Sequence, residues 1–355
     1  MSVPSLQVIG SRRVGGAENF FARLLGEMQQ HHWPVTAVLP PGSPLERSLE
    51  GRVPLQRVPM RGLWDLQARL RLRRLVRCSG APIVQTWMGR ATRLTRLPSR
   101  GVVHVARLGG YYDIRGYRHA HAWIGNTRGI CDYLLAAGLP ADRVFHIGNF
   151  YRPPAPQSAQ ERAGVRRQLG VPAGSWMLFA LGRLHPNKGF DTLLQALSLL
   201  PQEIAGRPWR MVIAGTGPLA GELRECCRRL GLEQQVLWPG WSPEPAPWFQ
   251  AADLFLCPSR HEPLGNVILE AWGNRVPVLA CASQGPSELI RGQQEGLLVP
   301  VDEPVPLAQA INILLADEAR RREMSEAGIR RLEREFSAEV ILDRYRLLYQ
   351  QLTGA

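Results

Sequence analysis

The sequence predicts an α/β protein with parallel sheets, divided into two domains. Short apolar strands alternate with amphipathic helices along the chain, which is typical of helices packed on parallel sheets. A length of 355 residues, of which 45% are hydrophobic, is enough for two domains with separate cores. A segment rich in Pro, Gln, Ala and Arg interrupts this pattern. We expect a first domain over 1–152, a linker over 153–175, a second domain over 176–336 and a terminal helix over 337–355.

The expected strands are followed by helices or by glycine turns. In the first half a strand near Leu6–Gly10 precedes a glycine loop and a helix from Ala17 to about His31. The strands of the second half are expected at Trp176–Leu181, Arg210–Gly215, Leu254–Pro258, Pro277–Cys281 and Gly296–Pro300. Parallel sheets bind ligands outside the carboxyl ends of their strands. Candidate functional residues are therefore sought directly after these strands.

Several protein classes are excluded by composition. No run of eighteen uncharged apolar residues occurs, and the first residues lack the pattern of a secretory leader, so we expect a cytoplasmic protein. The six cysteines have neither the spacing of metal ligands nor that of a small disulfide framework. We expect them to be reduced thiols and expect no metal site.

The net charge of +13 belongs entirely to the first half. Residues 1–150 contain 21 arginines, no lysine and 8 acidic residues, whereas residues 151–355 contain 22 basic and 22 acidic residues. A field of this sign favours anionic partners, either phosphates or an acidic membrane surface. A merely solvated basic surface is the alternative.

Two glycine loops stand between a strand and a helix. Gly15 and Gly16 follow the first strand, where a backbone without side chains and a helix N-terminus could accept a phosphate; a plain turn is the alternative. Gly182 opens the second loop, in which Arg183 and Lys188 could converge on a pyrophosphate. Lys188 is the only lysine among 43 basic residues, which suggests a need for a compact ammonium group; chance is the alternative.

The most specific motif is the sequence EPLGNVILE, which opens a helix after the strand LFLCPS. Glu262 lies just before the expected helix and Glu270 two turns into it. Residues Leu264, Gly265, Asn266 and Val267 form the helix N-terminus and present backbone N–H groups. Carboxylates beside an anion site suit recognition of sugar hydroxyls, although a capping and a surface glutamate are the alternative. A further glycine turn, Ser283–Glu288, precedes another helix.

Together these motifs resemble a known family. GGAE, GRLHPNKG, the Glu262–Glu270 spacing and QGPSELI followed by EGLLVP are similar to the large retaining glycosyltransferase family with the GT-B fold, often numbered family four. The resemblance covers almost the whole chain and is densest from Trp176 to Pro300. It implies two Rossmann-like domains that face each other across a cleft, and a final helix, here Ser337–Leu352, that returns to the first domain.

The resemblance also implies roles for individual residues. Arg183 and Lys188 would hold the phosphates of a UDP- or GDP-sugar donor, and Glu262 would contact the transferred sugar. Glu270 would bind the ribose hydroxyls, and Gly15 with Gly16 the phosphates or the acceptor. The family transfers sugars with retention and without a metal ion. The usual histidine–glycine position of the first domain is occupied by Leu108-Gly109 or Gly109-Gly110, and we interpret the nearby His104 as a packing residue.

The acceptor side must be inferred from the first half. Residues 63–77 form an amphipathic segment with five arginines, Arg69, Arg71, Arg73, Arg74 and Arg77, that could lie on anionic lipid or be an ordinary surface helix. Four further arginines, Arg90, Arg93, Arg96 and Arg100, would align if their segment were helical. We therefore expect a saccharide or glycolipid acceptor, phosphorylated or acidic, in lipopolysaccharide-like envelope assembly at the cytoplasmic face of the inner membrane.

Two other functions fit parts of the sequence. A sugar-nucleotide epimerase or hydrolase would share the GT-B layout but would need no second sugar. An arginine-rich nucleic-acid-binding protein would explain the basic half, yet the aromatic residues typical of an RNA-binding sheet are not interleaved with it. Such a protein would also leave Glu262 and Glu270 unexplained, so we expect no nucleic-acid partner.

Overall fold

The chain consists of two compact units. The computed structural model describes residues 2–12, 15–97 and 101–354. Unit 1 contains Met1–Asn149 together with Ala338–Ala355, and unit 2 contains Phe150–Ser337. The chain thus leaves unit 1 once and comes back to it at the C-terminus.

Unit 1 is built on a seven-stranded sheet. Its strands are β1 (Ser5–Ile9), β2 (Val35–Leu39), β3 (Leu55–Arg57), β4 (Ile83–Trp87), β5 (Val103–Leu108), β6 (Ala122–Gly125) and β7 (Val144–His146). Its first helices are α1 (Gly16–Gln30), α2 (Pro44–Leu49), α3 (Leu66–Ser79), α4 (Met88–Leu94) and α5 (Arg128–Ala136). The strand order is β3-β2-β1-β4-β5-β6-β7, and all of these pairs are parallel.

Unit 2 repeats the same design. Its strands are β8 (Trp176–Leu181), β9 (Glu203–Ile204), β10 (Arg207–Ala214), β11 (Val236–Gly240), β12 (Leu254–Cys257), β13 (Val278–Cys281) and β14 (Leu297–Val299). Its helices are α6 (Ala159–Gln168), α7 (Phe190–Ser198), α8 (Ala220–Arg229), α9 (Ala246–Ala251), α10 (Asn266–Gly273), α11 (Gln284–Leu289), α12 (Pro304–Ala316) and α13 (Glu318–Glu335). The order is β11-β10-β8-β12-β13-β14, all parallel, with β9 antiparallel to β10.

Both units therefore have the doubly wound order, in which the sheet grows in one direction and then in the other from its first strand. The α/β fold class with two parallel sheets is confirmed. In unit 2 the central strand β8 is buried on both faces: Leu178 packs into one hydrophobic core, and its neighbour Phe179 packs into the other. This explains why β8 is an uninterrupted apolar run rather than an alternating one.

The segment between the expected domains is part of unit 2. Helix α6 begins with a capping box, in which Ser158 and Glu161 each bond the other's backbone N–H. Arg166 of this helix donates to the Ala251 carbonyl at 2.8 Å and pairs with Asp253 at 2.8 Å. These contacts anchor residues that composition alone suggested would be a linker.

The last helix, α14 (Ala338–Thr353), packs in unit 1 through buried polar contacts. The Tyr349 hydroxyl accepts from Gln7 Nε2 and donates to Gln85 Oε1, both at 2.9 Å. Tyr345 accepts from Arg107 Nε at 2.9 Å, and the Arg107 guanidinium also lies over the Trp87 ring. Burial raises the pKa of the Tyr349 hydroxyl, so it remains protonated and able to donate.

We predict that Tyr349→Phe lowers the free energy of unfolding by about 1–3 kcal/mol. The substitution keeps the ring but leaves the Gln7 amide and the Gln85 carbonyl oxygen without this partner in a buried place. Urea unfolding monitored by circular dichroism measures the change. Leu347→Ala is the control on the same helix, because its side chain is 59% exposed and its loss should cost within about 0.5 kcal/mol. Equal stability of Tyr349→Phe and the parent would contradict the prediction.

Candidate functional site

The motifs of the second half meet at one edge of the sheet of unit 2. The strand order places β8 beside both β10 and β12, and the direction of winding reverses between β8 and β12. Doubly wound sheets bind ligands outside the carboxyl ends of strands at such a point. The loop Gly182–Gly189 follows β8, and residues 258–265 follow β12. The structure thus puts two sequence-predicted motifs at the favoured position.

Glycine geometry holds these two segments together. Gly189 has a φ of +63°, and a side chain on it would collide with the Pro258 carbonyl oxygen. The neighbouring Asn187 carbonyl accepts a bond from the His261 backbone N–H at 3.1 Å. The loop can therefore lie directly on the segment after β12, which brings Lys188 to that segment.

Lys188 and Glu262 form an ion pair at the centre of the site. The ammonium group of Lys188 donates to Glu262 Oε2, and the two side chains are only 23% and 13% exposed. Burial by itself would lower the pKa of Lys188, but the Glu262 carboxylate and the nearby Cys257 more than offset it, so the pKa of Lys188 is raised. The lysine is consequently cationic at neutral pH. Gly182 packs against the aliphatic part of the Lys188 side chain: a Cβ atom at Gly182 would lie 3.5 Å from Cδ and Cε of the lysine.

Arg183 differs from Lys188 in its surroundings. Its side chain is exposed, and it makes no hydrogen bond or ion pair with any residue in the described ranges. The loop therefore carries one guanidinium that no protein carboxylate neutralises, next to one ammonium that is paired. Both lie after β8, as the sequence predicts.

Helix α10 supplies the remaining predicted residues. Gly265 caps it with a φ of +90°, and Leu264 and Gly265 are buried, while Asn266 and Val267 in its first turn are half-buried. The predicted position of Glu270, two turns into the helix, is wrong: it is the fifth residue, little more than one turn from the start. The difference arises because the αL conformation of Gly265 delays the start of the helix until Asn266.

The predicted glycine turn Ser283–Glu288 is wrong, because Ser283 caps helix α11 (Gln284–Leu289) and the residues after it are helical; this helix packs on the N-terminus of α10. Gly285, in α11, donates its backbone N–H to the Glu262 carbonyl at 2.8 Å. A side chain at Gly285 would collide with the Leu264 backbone. The segment Ser283–Glu288 therefore fixes the backbone of Glu262 and Leu264.

Two further parts of this site, a loop after β10 and an arginine after β12, were not identified from the sequence. The loop Gly215–Gly217 after β10 packs on the Lys188 loop: the Leu184 N–H donates to the Thr216 carbonyl at 3.0 Å, and side chains on either glycine would collide with that loop. The signal was present as a Gly-Thr-Gly turn after an apolar strand. Arg260 bonds both oxygens of Asp191 at 2.7 Å, which connects the segment after β12 to α7.

Gly15 lies in unit 1 between β1 and α1, as expected, whereas Gly16 is the first residue of α1, which begins one residue earlier than the sequence predicts. Gly15 is the N-cap residue, with extended backbone, and its position for a side chain lies 3.0 Å from Glu18 Oε2. Glu18 is only 5% exposed. The Glu18 carboxylate thus already lies at the N-terminus of α1. The partial positive charge there attracts this carboxylate as it would attract a bound anion.

His104 packs locally, in agreement with the sequence interpretation. It is fully buried in β5, and its Nε2 lies 2.9 Å from the Thr86 hydroxyl oxygen. Burial, with His119 and His121 nearby, lowers the pKa of His104 to about 3, so the ring is neutral at physiological pH.

The predicted alignment of four arginines is wrong. Helix α4 ends at Leu94, so Arg96 lies beyond it, and Arg100 lies outside the described residues. Arg90 donates to the Gly10 carbonyl at 3.1 Å, and Arg93 pairs with Asp113 at 3.4 Å. These long-range partners, rather than a helical repeat, determine where each guanidinium lies.

The amphipathic segment of residues 63–77 is largely helical, since α3 begins at Leu66 after the Asp65 cap. Ala68, Leu72 and Val76 face the core. Within the described ranges, no helix is long and apolar enough to span a membrane. No group of three or more His, Cys, Asp or Glu side chains in these ranges could hold a metal ion.

Comparison with known proteins identifies the family. The model of the family described as "Glycosyl transferases group 1" matches residues 161–331. Over 335 residues the chain is 30% identical to "Lipopolysaccharide core biosynthesis glycosyltransferase LpsE" of Rhizobium meliloti (strain 1021), covering 93% of this chain and 94% of that protein. The corresponding LpsD of the same organism is 29% identical over 341 residues, or 95% of each chain. The chain belongs to this glycosyltransferase family.

A solved structure agrees on the fold. The crystal structure of Anabaena Alr3699/HepE in complex with UDP-glucose superposes with a TM-score of 0.83 and 21% identity, covering 98% of this chain and 99% of that one. At this identity the likeness concerns the fold, which is GT-B as the resemblance implied.

Proposed function

We propose that this glycosyltransferase takes a sugar from a UDP- or GDP-sugar and transfers it, with retention, to a saccharide or glycolipid of a lipopolysaccharide-type core. The observation that carries the donor assignment is the ion pair of Lys188 with Glu262 at the switch point of unit 2, with Arg183 on the same loop as Lys188. The acceptor class is supported by the relatives LpsE and LpsD, whose names place them in lipopolysaccharide core biosynthesis.

In the proposed donor site each charged side chain binds one part of the donor. Arg183 and Lys188 bind the diphosphate, and Glu262, released from Lys188, accepts a hydrogen bond from a hydroxyl of the transferred sugar. The backbone N–H groups from Leu264 to Val267 add the positive end of α10. Glu270 receives the ribose hydroxyls. A carboxylate beside a diphosphate would be repelled, so hydroxyl recognition is the role that suits both glutamates.

The chemistry we propose needs no protein base. The bond between the anomeric carbon and the diphosphate oxygen breaks while the acceptor oxygen bonds the same face of that carbon. The leaving phosphate oxygen takes the acceptor's proton, and its growing negative charge is stabilised by Lys188 and Arg183. Because these two cations neutralise the leaving group, the proposal includes no metal ion.

The first experiment tests transfer itself. A panel of UDP- and GDP-sugars is incubated with the protein in the presence and absence of truncated lipopolysaccharide, and the linkage formed is read by NMR. We expect product only with both substrates and with the anomeric configuration of the donor retained. An excess of EDTA should leave the rate unchanged, because Arg183 and Lys188 supply the positive charge that a metal ion would otherwise bring to the diphosphate. Donor turnover without acceptor, inverted product or loss of activity in EDTA would each refute the corresponding part.

The second prediction concerns Lys188. We expect Lys188→Ala to lower kcat by about 10² to 10³, the usual effect of removing one group that stabilises developing charge. Lys188→Arg should also be impaired, because a planar guanidinium cannot occupy the space between Gly182 and Glu262 in the way that an ammonium does. Arg224→Gln, an exposed change on α8, is the control. Full activity of Lys188→Ala would remove Lys188 from the proposed mechanism, and full activity of Lys188→Arg would show that the choice of lysine over arginine is an accident.

We also propose that unit 1 binds an anionic membrane surface through α3. Trp64, Leu66 and Leu70 are 81%, 67% and 64% exposed, which is unusual for large apolar side chains in one short segment. Arginines 71 and 74 of the same helix are exposed as well. Apolar and basic groups side by side are what an interfacial helix presents to anionic lipid.

Vesicle co-sedimentation tests this surface. Arg71→Gln/Arg74→Gln should reduce binding to phosphatidylglycerol vesicles at low salt by about tenfold or more, since each basic residue near such a surface contributes roughly 1 kcal/mol. Leu66→Ser/Leu70→Ser should weaken binding even at high salt, where charge is screened. The matched control is Arg224→Gln/Arg229→Gln, two exposed arginines of unit 2. If this control loses as much binding as the α3 variants, the attraction is general and α3 is not the membrane surface.

A further inference from the structure

A second basic site lies in unit 1, at the carboxyl-end edge of its sheet. A cavity of about 370 Å³ is lined by Trp64, Arg69, Arg93, Arg96, Asp113 and Arg115. These residues come from the connections after β3, β4 and β5, three strands whose carboxyl ends meet at one edge of a parallel sheet. That edge is where ligands bind in such sheets. All of these residues belong to unit 1, whereas the Lys188 site belongs to unit 2.

The charges in this cavity are unbalanced. Four guanidinium groups face a single carboxylate, that of Asp113, which pairs with Arg115 at 3.0 Å and with Arg93 at 3.4 Å. Arg69 and Arg96 have no ion pair among the described residues. Their field adds to burial in lowering the pKa of His119, which lies behind them. The pocket therefore attracts an anion carrying one or two charges.

Several of these groups are also held in place. The Nε atoms of Arg69 and Arg93 are buried without a hydrogen-bond partner in the structure. Arg93 packs closely on Gly116, where any side chain would collide with it. The Arg69 guanidinium lies over the Trp64 ring, 5.6 Å from its centre. Because the inner part of each guanidinium is packed in this way, a ligand in the cavity would bond the outer nitrogens of groups whose positions are already restricted.

Trp64 adds an apolar surface to the cationic cavity. Its ring is 81% exposed, although it borders the cavity. An indole face next to guanidinium groups suits a ligand with an apolar ring face and an acidic substituent, since the ring can pack on the indole while oxygens bond the arginines. A phosphorylated or carboxylated sugar has both parts, and an inorganic anion has only one.

We propose that this cavity is the acceptor subsite and that it selects a saccharide bearing a phosphate or carboxylate. The inference rests on the proposed glycosyl transfer, because it names the substrate class of that reaction. Arg69 and Arg96 supply the charge that Asp113 does not neutralise, and Trp64 supports the sugar ring. They are specificity-determining residues rather than participants in bond breaking.

The test measures binding of glucose 6-phosphate and of glucose by isothermal titration calorimetry, with excess UDP and GDP present to fill the donor site. We expect the native protein to bind glucose 6-phosphate at least tenfold more tightly than glucose. Arg69→Gln/Arg96→Gln should lose at least tenfold for the phosphate and less than twofold for glucose, whereas Trp64→Ala should weaken both. Arg47→Gln/Arg143→Gln, which removes two exposed charges elsewhere in unit 1, should bind as the native protein does.

Other results overturn the inference. Equal affinity for the two sugars in the native protein, or an equal loss in the Arg47/Arg143 control, would show that the cavity does not select an acidic saccharide. Phosphatidylglycerol vesicles distinguish a lipid headgroup from a free sugar phosphate: loss of sedimentation in Arg69→Gln/Arg96→Gln would assign these arginines to the membrane. Sugar transfer with a neutral acceptor, abolished in Lys188→Ala, would keep the proposed function intact while this inference failed.

Discussion

The pairing of β8 with β12 is the constraint on which the candidate donor site depends. These strands are neighbours in the sheet, with Phe179 opposite Phe255, although three other strands of the same sheet lie between them in sequence. The pairing is stabilised by apolar cores on both faces of the sheet. Because both strands run in the same direction, their carboxyl ends deliver Lys188 and Glu262 to one place. The apolar packing that fixes the strand order thus also determines the contact of Lys188 with Glu262 outside the sheet.

The contact between Lys188 and Glu262 is a weak source of stability. Removing two charges from water costs several kcal/mol, and their attraction offsets this only when the geometry is good. This ion pair, on the same loop as the unpaired Arg183, is better explained as part of a binding site for a charged ligand than as a source of stability. In the proposed reaction a diphosphate replaces the carboxylate as the partner of the lysine. The glutamate then meets neutral hydroxyls, so no carboxylate faces a phosphate.

Most of the fold could be predicted because it rests on local patterns. The expected strand Trp176–Leu181 coincides with β8, and the expected first strand differs from β1 by one residue at each end. The glycine loops were recognisable for the same reason. The contact of Lys188 with Glu262 could be suggested only by family resemblance, since it joins residues 74 positions apart. The arginines after β4 show the limit: their spacing suggested one helix face, but Arg90 turns to carbonyls elsewhere in unit 1.

The uneven use of arginine in unit 1 has more than one physical basis. Arg107 is 3% exposed, bonds Tyr345 and Asn149, and places its guanidinium over aromatic rings; a lysine has neither the planar group nor enough directed donors for this. Such an arginine contributes to folding and adds little to the outward field. Net charge therefore overstates the surface available to anions. The arginines that matter for recognition are those that face the cavity without a carboxylate to neutralise them, and Arg69 and Arg96 differ in this from the buried Arg107.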